Sequence, residues 1–239
     1  MVQIFLIVSL VIGSIITTLG IAVLIVNLWF MELGKDKYSD EYRWKRINWL
    51  VSWAIPLITR STVEIEGVEK LDLYEKAVVY ANHRSIFDIF AFLKGVDRPH
   101  GYIAKAEISN VILLKRGMPL INCEFLDRGD DRAAVKVVLN AIKTVKKGHM
   151  MVIFPEGTRA IGLPLGMFKA GSFKVAQKAQ AAIVPVTFYN TEIVGTRWPR
   201  RTTLKVKVHD PIPYEDYSDM QTPDVAMMVE KIVKGDLRD

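Results

Sequence analysis

The sequence is poor in cysteine and histidine, and its first stretch has no charge at all. A single cysteine, Cys123, excludes an internal disulfide and agrees with a reducing compartment. No grouping of histidine, cysteine and carboxylate has metal-site spacing, so no metal is expected. The absence of internal repeats and of a long low-complexity linker leaves, at 239 residues, one well-buried domain plus an appendage. From Met1 to Met31 no side chain is charged, and Ile, Val and Leu dominate. A helix of about 20 such residues crosses the hydrocarbon core, so this run is long enough to span with tilt. No Lys or Arg precedes it, and bulky Trp29-Phe30-Met31 closes it, which favours an uncleaved anchor over a removed signal peptide.

Cations follow the run at Lys35, Lys37, Arg43, Lys45 and Arg46. The positive-inside rule then puts the body of the chain in the cytoplasm, at the inner or plasma membrane. The net charge of +6 lies entirely beyond the run. Such a surface suits nucleic acid or anionic lipid. With an anchor present, membrane phospholipid is the expected partner and nucleic acid is not. A second apolar patch, Ile47 to Thr59, is too short to span. With Trp44, Trp49 and Trp53 it reads either as a helix at headgroup depth or as an amphipathic helix packed on the domain. Residues 1–59 are thus expected to form a membrane-associated segment, one spanning helix or a re-entrant pair, and residues 60–239 the functional domain. Arg197-Trp198-Pro199-Arg200-Arg201 is either a solvated loop or a headgroup contact.

Beyond residue 60, short strands alternate with helices. Strands are predicted at Thr62–Glu66, Ala77–Ala81, Tyr102–Ala104, Met151–Phe154, Ala182–Tyr189 and Thr203–Val208. Helices are predicted after Ser85 up to Gly95, over Glu107–Lys115, from Asp130-Asp131 to about Lys147, and over Asp224–Lys234. The expected fold is α/β, a single mixed sheet covered by helices.

Two blocks carry chemistry. Asn82-His83-Arg84-Ser85-Ile86-Phe87-Asp88 sits at a strand-to-helix junction. Positions five apart do not share a helix face, so His83 must precede the helix and fold back onto Asp88 in its first turn. One ring nitrogen then meets the carboxylate and the other is free as a base. The plainer reading is a histidine that fills the junction. In Phe154-Pro155-Glu156-Gly157-Thr158-Arg159, Gly157 permits close backbone approach, while Thr158 and Arg159 supply donors suited to phosphate. Glu156 either holds a hydroxyl or orients Arg159, and the plainer reading is a turn with a local Glu–Arg pair. Ser85 reads as a helix cap, Cys123 as a small buried hydrophobe, and His100, His149 and His209 as structural.

Together the blocks resemble the glycerolipid acyltransferase family, above all the 1-acylglycerol-3-phosphate acyltransferases. Asn82, His83, Ser85 and Asp88 match the family's N-H-x-S-x-x-D, and residues 154–159 match its F-P-E-G-T-R. Phe125-Leu126-Asp127-Arg128, Ile183-Val184-Pro185-Val186, Lys105-Ala106-Glu107-Ile108 and Phe168-Lys169-Ala170-Gly171 resemble its other segments. The resemblance covers roughly residues 60–210. It implies that His83, oriented by Asp88, deprotonates the hydroxyl of lysophosphatidic acid. The alkoxide then attacks acyl-coenzyme A or acyl carrier protein as co-substrate, without a further cofactor. Arg159, with Lys105 and Arg128, would hold the phosphate, and Glu156, Gly157 and Thr158 would shape the acceptor site. Other expectations left open are a different lysophospholipid or glycerol-3-phosphate as acceptor, or a non-catalytic binder of anionic lipid.

Overall fold

The uncharged run forms one helix, α1 (Val2–Leu33), about 48 Å long at 1.5 Å per residue. The computed structural model describes residues 1–127, 129–159, 166–197 and 200–237. Among these, α1 is the one helix long and apolar enough to cross a membrane, and no residue of its most apolar stretch is buried. Its last turn behaves differently. Phe30 and Leu33 are buried in the domain core, and the Phe30 ring lies against Gly117 so closely that a Cβ there would sit 2.8 Å from it.

Helix α2 (Asp40–Thr59) starts at Ser39, whose hydroxyl accepts the Tyr42 N–H at 3.2 Å, and acidic Asp40 and Glu41 suit the positive end of the helix dipole. The reading as a helix packed on the domain holds for one face of this segment. Trp44 and Ile47 are buried in the core, whereas Trp49, Trp53 and Leu57 are 62%, 65% and 68% exposed. Packing therefore crosses residue 59, since α1 and α2 both contribute side chains to the core cluster of the sheet.

The sheet has seven strands: β1 (Ser61–Glu66), β2 (Ala77–Ala81), β3 (His100–Lys105), β4 (Glu124–Leu126), β5 (Met150–Ile153), β6 (Ala182–Tyr189) and β7 (Thr202–Val208). Their order is β1-β7-β6-β2-β5-β3-β4. Only β6 and β7 pair antiparallel; the other neighbours are parallel. One edge of the sheet thus gathers the carboxyl ends of β6, β2, β5, β3 and β4, while β7 and β1 run the other way and their amino ends extend past it, Val208 being level with Ala81. That edge carries the chemistry described below.

Strands β2 and β5 are buried along their whole length, as expected of parallel strands covered on both faces. Val79 and Ala81 point to a core closed by α2, α3 (Phe87–Gly95) and the end of α1. Val78 and Tyr80 point the other way, to α5 (Asp131–Lys146), α6 (Lys174–Ala179) and α8 (Thr222–Gly235). The helix expected over Glu107–Lys115 is two pieces, a 3-10 turn (Ala106–Asn110) and α4 (Ile112–Gly117), because Val111 between them is extended at φ −86 and ψ 114. Strand β4 and helices α6 and α7 (Val194–Arg197) were not anticipated; they are three, six and four residues long, too short to show a period.

Candidate active site

The first block begins where β2 ends. Asn82 is fully buried, and its side-chain amide is spent on the end of β6: Nδ2 donates to the Phe188 carbonyl at 3.0 Å, and Oδ1 accepts the Phe188 N–H at 2.8 Å. This fixes the exit of β2 relative to its neighbour. The chain then turns, and Asp88 lies in the first turn of α3. Its Oδ2 accepts the backbone N–H of Arg84 at 2.8 Å and of Ser85 at 2.9 Å, and stands 2.7 Å from His83 Nδ1. Asp88 is fully buried. A buried carboxyl that receives three donors on one oxygen is held in place. The geometry places the Nδ1 proton against Asp88, which leaves the Nε2 lone pair without a hydrogen-bond partner among the described residues. The expected fold-back of His83 onto the first turn is therefore observed. Ser85 Oγ accepts the Phe87 N–H at 3.3 Å, a local tie at the start of the helix.

The second block begins where β5 ends, on the strand next to β2. The Phe154 ring stacks on the His83 imidazole, with centroids 4.1 Å apart and planes inclined by 21°. Glu156 is buried, and its two oxygens reach in different directions. Oε1 accepts the His83 backbone N–H at 2.8 Å and Oε2 accepts the Gly166 N–H at 2.9 Å. Burial pushes this carboxyl above its usual range, and the two N–H donors act against that rise. Among the described residues no ion pair joins Glu156 to Arg159, so the carboxylate ties two segments of backbone instead. Gly157 takes φ 75 and closes a turn, its N–H donating to the Phe154 carbonyl at 3.0 Å; a side chain there would be strained. Thr158 and Arg159 follow as exposed residues.

Lys105 ends β3 on the same edge, largely exposed and paired with Glu107 at 2.6 Å. Arg128, just past β4, lies outside the described residues. The structure thus brings His83, Asp88, Glu156 and Gly157 together, with Lys105, Thr158 and Arg159 on the loops and strand ends around them. Four contributors were missed as such: Asn82, Phe154, Gly166, and Glu192, whose carboxylate meets Arg84 at 3.2 Å. Asn82 and Phe154 were visible as motif letters, but their partners, Phe188 and His83, lie far off in the chain. Gly166 and Glu192 carried no signal at all.

An apolar groove of about 850 Å³ runs from Phe154, Pro155 and Gly157 along α5 and α6, floored by Val138, Ile142 and Val175. Other reactive side chains are out of play. Cys123 is buried and its thiol is pushed up to about 12 by that burial. His100 is buried against Trp44, Phe92 and Tyr102, and burial lowers it to about 4. His83 does not line the apolar groove but stacks on Phe154, which does, and an imidazole backed by a buried carboxylate can take a proton from a hydroxyl.

Comparison with known proteins places this geometry. The family described as Acyltransferase matches residues 62–189, which contain both blocks. A probable 1-acyl-sn-glycerol-3-phosphate acyltransferase of Mycoplasma pneumoniae is 34% identical over 64% of this chain and 58% of its own length. The chloroplastic 1-acyl-sn-glycerol-3-phosphate acyltransferase LPAT1 of Arabidopsis thaliana is 32% identical over 84% of this chain and 57% of its own. The chain therefore matches less than two thirds of these relatives' length. The crystal structure of the 1-acyl-sn-glycerophosphate acyltransferase PlsC from Thermotoga maritima superimposes with a TM-score of 0.70 at 24% identity, over 92% of this chain and 96% of that one, and shares its fold. With more than half of its length inside the family's match, and both motifs at the carboxyl edge of the sheet, this chain belongs to the acyltransferase family.

Proposed function

We propose that this acyltransferase moves a fatty acyl group from a thioester, acyl-coenzyme A or acyl carrier protein, to the sn-2 hydroxyl of lysophosphatidic acid, giving phosphatidic acid. It works at a membrane, with its α/β domain on the cytoplasmic face. The observation that carries the reading is His83 Nδ1 at 2.7 Å from the buried Asp88 carboxylate, with the backbone of the same histidine tied to Glu156. Relatives named for this reaction support the choice of acceptor.

In this mechanism Nε2 of His83 takes the hydroxyl proton as the oxygen attacks the thioester carbonyl. Asp88 steadies the imidazolium that results. The tetrahedral intermediate collapses with cleavage of the C–S bond, and the imidazolium returns the proton to the leaving thiolate. No acyl-enzyme is needed. Arg159, with Lys105 and Arg128, holds the acceptor's phosphate, while Gly157 and Thr158 line its glycerol. Glu156 sets the backbone of His83, and the groove along α5 and α6 offers apolar lining to an acyl chain.

The test is acyl transfer by the purified full chain to a panel of lysolipids and glycerol-3-phosphate, with each thioester donor in turn. Lysophosphatidic acid should be the best acceptor, and His83→Ala should lose transfer while keeping fold and membrane attachment. Full activity in that variant would remove the base from His83, and a better acceptor without phosphate would move the reading to another lysolipid.

A further inference from the structure

Helix α2 ends in a feature that acyl transfer does not use. Trp49, Trp53 and Leu57 are each more than 60% exposed, and at i, i+4 and i+8 they form one outward stripe. The stripe runs into Arg60, which caps α2 in the left-handed region at φ 55. Strand β1 begins at the next residue and pairs Ser61 with Thr202 of β7. The Thr202 N–H also donates to the Arg60 carbonyl at 3.4 Å. Arg60 and Arg201 thus stand one position before the paired starts of β1 and β7. With Pro56, Leu57, Ser61 and Thr62 they line a crevice of about 480 Å³. Both arginines are exposed, and neither has a carboxylate partner among the described residues.

We propose that this crevice binds the phosphate of an anionic phospholipid of the bilayer, a site separate from that of the acyl acceptor. Two unpaired guanidiniums just before adjacent strands suit a phosphodiester by charge and by donor chemistry. The aromatic and aliphatic stripe that leads into the crevice selects a phosphate carrying acyl chains over the free ion, because it offers them apolar contact at headgroup depth. The mixed sheet gives the site its purpose. Strands β1 and β7 run opposite to β2 and β5, and because Val208 is level with Ala81 through Val186, their amino ends extend beyond the edge that holds His83 and Glu156. Thr202 lies six residues along β7 from Val208, about 20 Å at ordinary strand rise, so the crevice stands out past the acceptor site. A headgroup held there turns the reactive edge toward the bilayer surface.

The test reads binding and needs no turnover, so it stands apart from the acyl-transfer reading. The full chain is reconstituted in phosphatidylcholine vesicles containing a minor fraction of brominated phosphatidylglycerol or, in parallel, of brominated phosphatidylcholine. Quenching of tryptophan fluorescence reports which lipid neighbours α2. The anionic lipid should be preferred by about tenfold, and Arg60→Gln with Arg201→Gln should abolish the preference. Replacing Arg197 and Arg200, exposed cations outside the crevice lining, should leave it intact. Inorganic phosphate at matched ionic strength should not displace the lipid. Equal quenching by the two lipids in the unmodified chain overturns the proposal. So does a preference that survives the crevice variant, falls equally in the control variant, or is erased by phosphate alone. Circular dichroism confirms that each variant is folded.

Discussion

Oδ2 of Asp88 receives the His83 ring at 2.7 Å and, at the same time, the N–H groups of Arg84 and Ser85 at 2.8 and 2.9 Å. One oxygen therefore orients the base and closes the loop that presents it. Asp88→Asn keeps the shape but offers an amide that favours the wrong ring tautomer. By analogy with aspartates that orient a catalytic histidine, kcat should fall about 10³- to 10⁴-fold with little change in KM. Steady-state release of the donor thiol measures this, and a loss under tenfold would remove Asp88 from the mechanism.

Glu156 joins the two blocks through backbone alone. Its oxygens accept from His83 and Gly166 at 2.8 and 2.9 Å, and the residue is buried. Glu156→Gln leaves one of these N–H groups facing another donor, at about 1–3 kcal/mol. The melting temperature should drop and kcat should fall together, since the backbone of the base has moved. A variant with unchanged stability and lower activity would instead assign Glu156 a direct role in binding acceptor.

Arg159 is exposed at the end of the second block. A charge-assisted contact to phosphate is worth about 1.5–3 kcal/mol. Arg159→Ala should raise the KM for lysophosphatidic acid about tenfold or more, while leaving transfer to a monoacylglycerol unchanged. Equal losses on both acceptors would place the phosphate elsewhere.

The sequence disclosed most where a signal is local. Strands β2 and β6 have the bounds expected, because each is a compact apolar run with abrupt ends. The pairing of His83 with Asp88 followed from spacing at a junction. What escaped is non-local or short. The Glu156 contact spans 73 residues of chain, and no pattern within either block encodes it. Strand β4 has three residues, all half-buried, so neither alternation nor an apolar run marks it. The antiparallel placement of β7, which carries Arg201 out past the reactive edge, is topology rather than composition.

His100 makes the domain sensitive to acid. It is buried, its Nδ1 bonded to the Arg98 carbonyl at 2.7 Å and its Nε2 to the Tyr102 hydroxyl at 2.8 Å. Burial lowers it from 6.5 to about 4. The unfolded chain therefore binds a proton below pH 6.5 that the folded chain refuses until about pH 4. Stability is complete above the upper value and is lost as pH falls through this window, by on the order of 3 kcal/mol in all. His209, half-buried and lowered by desolvation, adds to the loss in the same direction. Denaturant unfolding in detergent at pH 7.5 and at pH 5 should show the decline, and His100→Gln should flatten it while lowering stability at the higher pH. A pH slope unchanged in that variant would mean that other groups govern acid unfolding and that the proton is not excluded from His100.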